Sequence, residues 1–111
     1  MKYALLLYSS PDTWRRHVEA GDSVLAEYAA IDEAPGILAG QQLQPVDTAT
    51  TVRVENGQPL LTDGPFVPAK EYLGGFYLLE ADNLDAATEM AARIPVARLG
   101  GAVEVRPIVE R

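Results

Sequence analysis

Two short stretches of this chain, Ala4-Leu5-Leu6-Leu7-Tyr8 and Phe76-Tyr77-Leu78-Leu79, are apolar at odd and even positions alike. In a β-strand, successive side chains point to opposite faces of the sheet. Each stretch, read as a strand, is therefore apolar on both sides, and both sides need cover. Only two helical patterns accompany them, and both belong on the same face of the sheet. The second face is left apolar and bare, which is a liability for a monomer. The simplest cover is another copy of the chain, sheet against sheet, about a two-fold axis. The expectation is a homodimer whose two sheets share a barrel-like core.

Lys2 to Tyr8 reads as the first strand, with a turn signal straight after it. Ser10-Pro11-Asp12 starts a helix: Ser10 can cap it, and Pro11 suits its first position. Trp14, His17, Val18 and Gly21 fall on one face, and Gly21-Asp22 is a point of interruption or bending. Val24, Leu25, Tyr28 and Ile31 continue the apolar stripe until Pro35-Gly36 ends it. Ile37 to Gln44 is extended and bounded by Pro45. Thr50 to Val54 alternates, and Asn56-Gly57 is a hairpin signal. The return strand, Gln58 to Thr62, carries Pro59, as an edge strand can. Gly74 to Glu80 reads as a central strand. Asp82 or Asn83 caps a second helix with Leu84, Ala87, Met90, Ala91 and Ile94 on one side, closed by Pro95. Ala102 to Val109 is the last strand. The order is β-α-β, a hairpin, then β-α-β. It predicts an α+β fold, a ferredoxin-like βαββαβ unit with an inserted β-hairpin, in one domain over 1–111.

Sixteen acidic against nine basic residues give a formal charge of -7. A phosphate-backbone binder ordinarily has the opposite sign, so nucleic acid is not an expected partner, and neither is an anionic membrane surface. The chain has no cysteine, which removes disulfides, thiolate nucleophiles and Cys-based metal sites. The apolar run Tyr3 to Tyr8 is too short for a signal-peptide core or a membrane span, and a cytoplasmic location is the default expectation.

The polar corner Thr62-Asp63-Gly64-Pro65-Phe66 precedes a charged linker and the central strand. Asp63 is the best candidate for a general base, because desolvation in a pocket would raise its pKa toward a useful value. Its bland role is to bond the backbone N–H groups of the Gly-Pro turn. Lys70 could stabilise an anionic substrate or intermediate, or form a solvated loop pair with Glu71. His17, the single imidazole, could shuttle a proton, or simply pack beside Trp14 and Val18. Tyr8, Gln42, Gln44, Tyr77 and Arg98 are the candidate substrate-binding residues. Either tyrosine could instead be core with a wet tip, and Arg98 could be solvated. Glu104 and Arg106 share a strand face, as an ion pair would. No phosphate loop, G-x-G-x-x-G run, His cluster or paired Ser base is present, so neither a metal nor a cofactor is expected. Gly74-Gly75 reads as a place where another strand approaches closely.

Several pieces, in order along nearly the whole chain, resemble the DGPF-domain branch of the YCII-related (YciI-like) family. They are Met1-Lys2-Tyr3 leading into Leu5-Leu6-Leu7-Tyr8; Leu43-Gln44-Pro45 with Ala49 to Arg53; Thr62 to Phe66; Lys70-Glu71 with Leu73 to Tyr77; Ala91 to Pro95; and Val103 to Pro107. The resemblance implies a dimeric α/β barrel of ferredoxin-like halves. It also implies kinship with a dehydrochlorinase of chlorinated hydroxyquinols, and a His-Asp pair at the active site. DGPF-type relatives are often encoded beside, or fused to, extracytoplasmic-function sigma factors. This chain departs from the pattern in two places. Leu25 to Asp32, where the resemblance places the His, has none. The family's Ala-Glu-Thr after the corner reads Val67-Pro68-Ala69, while Lys70 and Glu71 remain.

Two function classes stay open. One is a cofactor-independent lyase or isomerase acting on a small anionic or aromatic metabolite, with Asp63 and Lys70 catalytic. The other is a non-catalytic ligand-binding or protein-interaction module, linked to a sigma factor.

Overall fold

Local signals in the chain place its elements, and a computed structural model describes residues 1–111. Strand β1 runs Lys2–Ser9. The Ser10 hydroxyl accepts a hydrogen bond from the Thr13 N–H at 3.2 Å and opens helix α1, Pro11–Ala20, with proline in its first turn. Gly21 then breaks the helix at φ 70°, ψ -146°, a conformation that glycine reaches without strain. Helix α2, Asp22–Asp32, follows. The interrupted helix of the sequence pattern is therefore two helices, and the molecule has three in all.

Strand β2 is Ile37–Gln42, ending short of the expected Gln44. A 3₁₀ turn at Val46–Thr48 leads into β3, Thr50–Glu55, and β4, Gln58–Asp63. Asn56 (φ 51°) and Gly57 (φ 77°) make the tight connection the Asn-Gly pair predicts. Strand β5 is Tyr72–Glu80, starting two residues earlier than expected. The Asn83 side chain, rather than Asp82, caps α3, Leu84–Arg93, by accepting from the Ala86 N–H at 2.9 Å. Strand β6, Ala102–Pro107, completes the chain.

The main sheet has the order β2-β5-β1-β6, antiparallel at every junction. This is the ferredoxin-like arrangement, and β3 and β4 form the inserted hairpin as a separate two-stranded sheet. The register sorts the side chains by face. Tyr3, Leu5, Tyr77 and Leu79 point inward and are buried with Ile31 of α2, Ala87 and Ala91 of α3, Ile94 and Val96. Ala4, Leu6, Phe76 and Leu78 point to the opposite face and are half-buried. Arg106 and Glu104 also stand there, paired at 2.8 Å. The molecule is a thin slab, 45 × 41 × 19 Å. No helix is long and apolar enough to cross a membrane.

Candidate functional site

The inner face of the sheet diverges from α1 and α2 at the β2 end and leaves a cavity of about 860 Å³. The α1 stripe of Trp14, His17 and Val18 forms one wall, and Val24, Leu25, Tyr28 and Asp32 of α2 form another. Leu7, Gly40, Gln42 and Tyr77 line the sheet side. Tyr77 can reach the cavity because Gly40 lies across from it: a Cβ on Gly40 would sit 2.5 Å from the Tyr77 ring. Gly75 likewise lets β2 close in, since a Cβ there would sit 2.9 Å from the Gln41 carbonyl oxygen.

His17 is the best-defined polar group in the cavity. Its Nδ1 lies 2.8 Å from the Thr13 carbonyl oxygen and its Nε2 lies 2.8 Å from the Tyr28 hydroxyl. A carbonyl only accepts, so Nδ1 carries the proton. Nε2 of the neutral ring is then an acceptor, and the Tyr28 hydroxyl donates to it. The ring lies between Trp14, 6.2 Å away between centroids, and Tyr28, 5.8 Å away, tilted by 24° and 22°. Burial pushes the Tyr28 phenol up to about 12; the Val96 backbone and Arg98 pull it back, and Glu27 adds to the rise. Burial also raises Tyr77, and the Asp32 carboxylate and Tyr28 raise it further. No Lys or Arg lines the cavity, whereas Asp22 and Asp32 do.

The sequence candidates separate. Gln42, Gln44 and Tyr77 meet in the cavity wall, together with His17. Tyr8 points to the opposite face of the sheet, where its hydroxyl donates to Glu104 Oε1 at 3.4 Å. Arg98 is ion-paired with Glu27 and lies outside the cavity wall. Asp63 ends β4 on the hairpin, is exposed, and lines neither this cavity nor a smaller one of about 340 Å³ at the hairpin base. Of the corner, only Pro65 reaches that smaller hollow. Lys70 is exposed on the segment before β5 and makes no ion pair.

The corner itself is held without the Asp63 carboxylate. The Gly64 N–H donates to the Ala49 carbonyl at 2.7 Å, and the Thr51 hydroxyl donates to the Gly64 carbonyl at 2.8 Å. Trp14, Asp22, Tyr28 and Asp32 are among the cavity residues that the sequence does not mark as site residues. Tyr28 sits on an apolar stripe and reads as core. Only the break at Gly21, which turns one helical stripe toward the other, hints that the stripes enclose something.

Fold and cavity together define a ferredoxin-like α+β protein with a hollow between helices and sheet. The model of the YCII-related domain matches residues 1–111, and the chain belongs to that family. An uncharacterised protein of Rhizobium meliloti (strain 1021) is 34% identical over 116 residues, covering 97% of this chain and 92% of the relative. Among solved structures, the 5-chloro-2-hydroxyhydroquinone dehydrochlorinase of Burkholderia phenoliruptrix AC1100, in complex with 2,5-dihydroxybenzoquinone, superposes with a TM-score of 0.57. It is 16% identical, and the match covers 100% of this chain and 96% of that one. At that identity the likeness establishes the shared fold.

Proposed function

We propose that this chain is a cofactor-independent enzyme, of the lyase or isomerase kind, that acts on a small aromatic metabolite. The cavity carries this reading: it is mostly apolar and has a few convergent polar groups, the ordinary composition of a small-molecule site. The solved neighbour, which holds a small ring compound, supports the same reading. Of the two substrate types the sequence leaves open, the wall favours a neutral ring over an anion, because it offers two carboxylates and no cation. Trp14, the single tryptophan, lines the cavity and supplies the test. Hydroxylated ring compounds should quench its fluorescence, and aliphatic dicarboxylates should not. A panel of rings that leaves the emission unchanged at millimolar concentration would remove the proposal.

The working unit we propose is a homodimer joined through the outer face of the sheet. A compact chain of 12.0 kDa exposes about 6,000 Å², whereas this one exposes 7699 Å². Its radius of gyration is 15.7 Å, against about 13 Å for a compact domain of this length. The excess of about 1,700 Å² exceeds the roughly 800 Å² that each partner contributes to a standard interface. Half-buried Leu6, Phe76 and Leu78 form the centre of that face, with the Glu104–Arg106 pair at its margin.

Catalytic parts for Asp63 and Lys70 belong to the same proposal only through the second subunit, since neither lines the cavity of its own chain. Asp63 shares a hairpin face with Val52, Val54 and Leu61, all widely exposed, and a partner covering that face would also reach Asp63. Loss of ring turnover in Asp63→Asn, with unchanged binding, would support the assignment; full activity would remove it. The same apolar hairpin face supports the second reading only as far as an interaction module; a sigma factor as its partner comes from the family resemblance alone. Co-purification with a sigma factor encoded nearby tests it, and no association at high concentration would count against it.

A further inference from the structure

His17 is held in the orientation a base requires. Thr13 fixes its proton on Nδ1 and leaves the Nε2 lone pair free to accept, and the group that occupies that lone pair is the hydroxyl of Tyr28. Both residues are half-buried and both line the cavity. A pair serving packing alone would have no need to face a hollow. Trp14 and Tyr28 each stack on His17 beside it, tilted by 24° and 22°, and a flat ligand can lie along such a row.

We propose that Tyr28 and His17 form a proton relay that ionises the hydroxyl group of a neutral, planar phenol bound in the cavity. The inference rests on the small-molecule reading of that cavity. In the step, the ligand O–H bond breaks and its proton passes to the Tyr28 oxygen. The Tyr28 O–H proton passes at the same time to His17 Nε2. The products are a bound phenolate, a neutral Tyr28 and a His17 imidazolium whose Nδ1–H still donates to Thr13. Return of the proton runs the same path backwards, and no co-reactant is needed.

The wall supplies no cation, so the counter-charge of the phenolate is the proton it loses, which stays on His17. The Trp14 ring stacks beside the imidazole, 6.2 Å away between centroids, and Asp22 and Asp32 stand in the cavity wall. Tyr77 faces the same space with its hydroxyl engaged by the Asp32 carboxylate, so the proton leaves the ligand through Tyr28 and not through Tyr77. Burial keeps the Tyr28 phenol protonated at neutral pH, so Tyr28 transmits the proton rather than holding the negative charge.

The probe is 4-nitrophenol, which turns yellow when it loses its proton and ionises near neutrality. Because His17 is the single histidine, its ring nitrogens give unambiguous ¹⁵N signals. With the intact protein, Trp14 quenching should report binding, and the bound probe should ionise at a pH about 1 unit or more below the free one. At a fixed pH near neutrality, adding the probe should move the ¹⁵N signals to imidazolium values as the yellow bound form appears. Tyr28→Phe and His17→Gln should still bind the probe and leave its titration close to that of the free compound. If the bound probe titrates like the free one in the intact protein, or the imidazole signals stay in the neutral pattern while it ionises, the relay is wrong and the cavity reading stands. Absence of binding by Trp14 quenching would overturn both.

Discussion

The Tyr28 hydroxyl of α2 donates to Nε2 of His17 on α1, 2.8 Å away across the Gly21 break. The two residues are eleven apart in sequence, and an unbroken helix would send them along one axis instead of facing each other. The turn at Gly21, with φ 70° and ψ -146°, is what brings the ring and the hydroxyl together.

Gly21→Ala therefore tests the bend itself. A Cβ there would meet nothing within 4 Å, so its cost is backbone strain alone. The expected loss is about 1–3 kcal/mol, read from urea unfolding. The His17 ring signals should shift as well, because relaxing the strain moves α1 relative to α2. An Ala variant of unchanged stability and spectrum would show that the bend is set elsewhere.

Ser10→Ala removes the cap of α1. The Ser10 hydroxyl accepts from the Thr13 N–H at 3.2 Å and lies 3.1 Å from the Thr13 hydroxyl, which is buried. A lost cap costs about 1 kcal/mol, and the stranded Thr13 hydroxyl should carry the loss to the upper part of the usual range, near 2 kcal/mol. Thermal or chemical unfolding measures it.

Gly40→Ala should narrow the cavity at its floor. The added methyl would fall 2.5 Å from the Tyr77 ring, which has to move. Overpacking of this kind costs about 1–3 kcal/mol. Quenching of Trp14 by ring compounds should weaken in parallel. Equal affinity in the Ala variant would place the ligand away from Tyr77.

Alkaline pH should weaken the fold through Tyr28. Its ordinary value is 10.0, and burial, the largest cause, lifts it to about 12 in the fold. The native state then holds the proton more tightly than the unfolded chain. The stabilisation is complete below pH about 10 and is lost as the pH rises toward about 12. Tyr77 moves in the same direction, raised by burial and then by Asp32. Unfolding midpoints measured across this window should fall for the intact protein and fall less for Tyr28→Phe. Parallel curves would contradict the shift.

Leu78→Glu should separate the proposed dimer. The side chain points to the outer face, away from the buried cluster, so the subunit itself should stay folded. Light scattering after size exclusion should give twice the 12.0 kDa chain mass for the intact protein and the single mass for the variant.

The readable parts of the molecule are those written within a few residues. Ser10 and Asn83 as caps, Asn56-Gly57 as a tight turn, and the alternation of β1 and β5 each act over one turn or one strand, and each stands where expected. The ferredoxin-like order follows from them, because few arrangements join such elements without crossing connections. The same-face pair of Glu104 and Arg106 is equally local, and it forms. Tyr8, by contrast, lies on the sheet face opposite the cavity, and alternation alone does not say which face the helices cover.

The sequence by itself determined the elements, their order and the presence of a second apolar sheet face, since backbone propensity and side-chain alternation are properties of neighbouring residues. Only the tertiary structure decided which polar groups converge. His17, Tyr28, Asp32, Gln42 and Tyr77 come from two helices and two strands spread over sixty residues, and their meeting depends on one helix bend and on the gap between helix and sheet. The polar corner at Asp63, prominent in the chain, lies out on the hairpin, because β3 and β4 pair with each other and not with the main sheet.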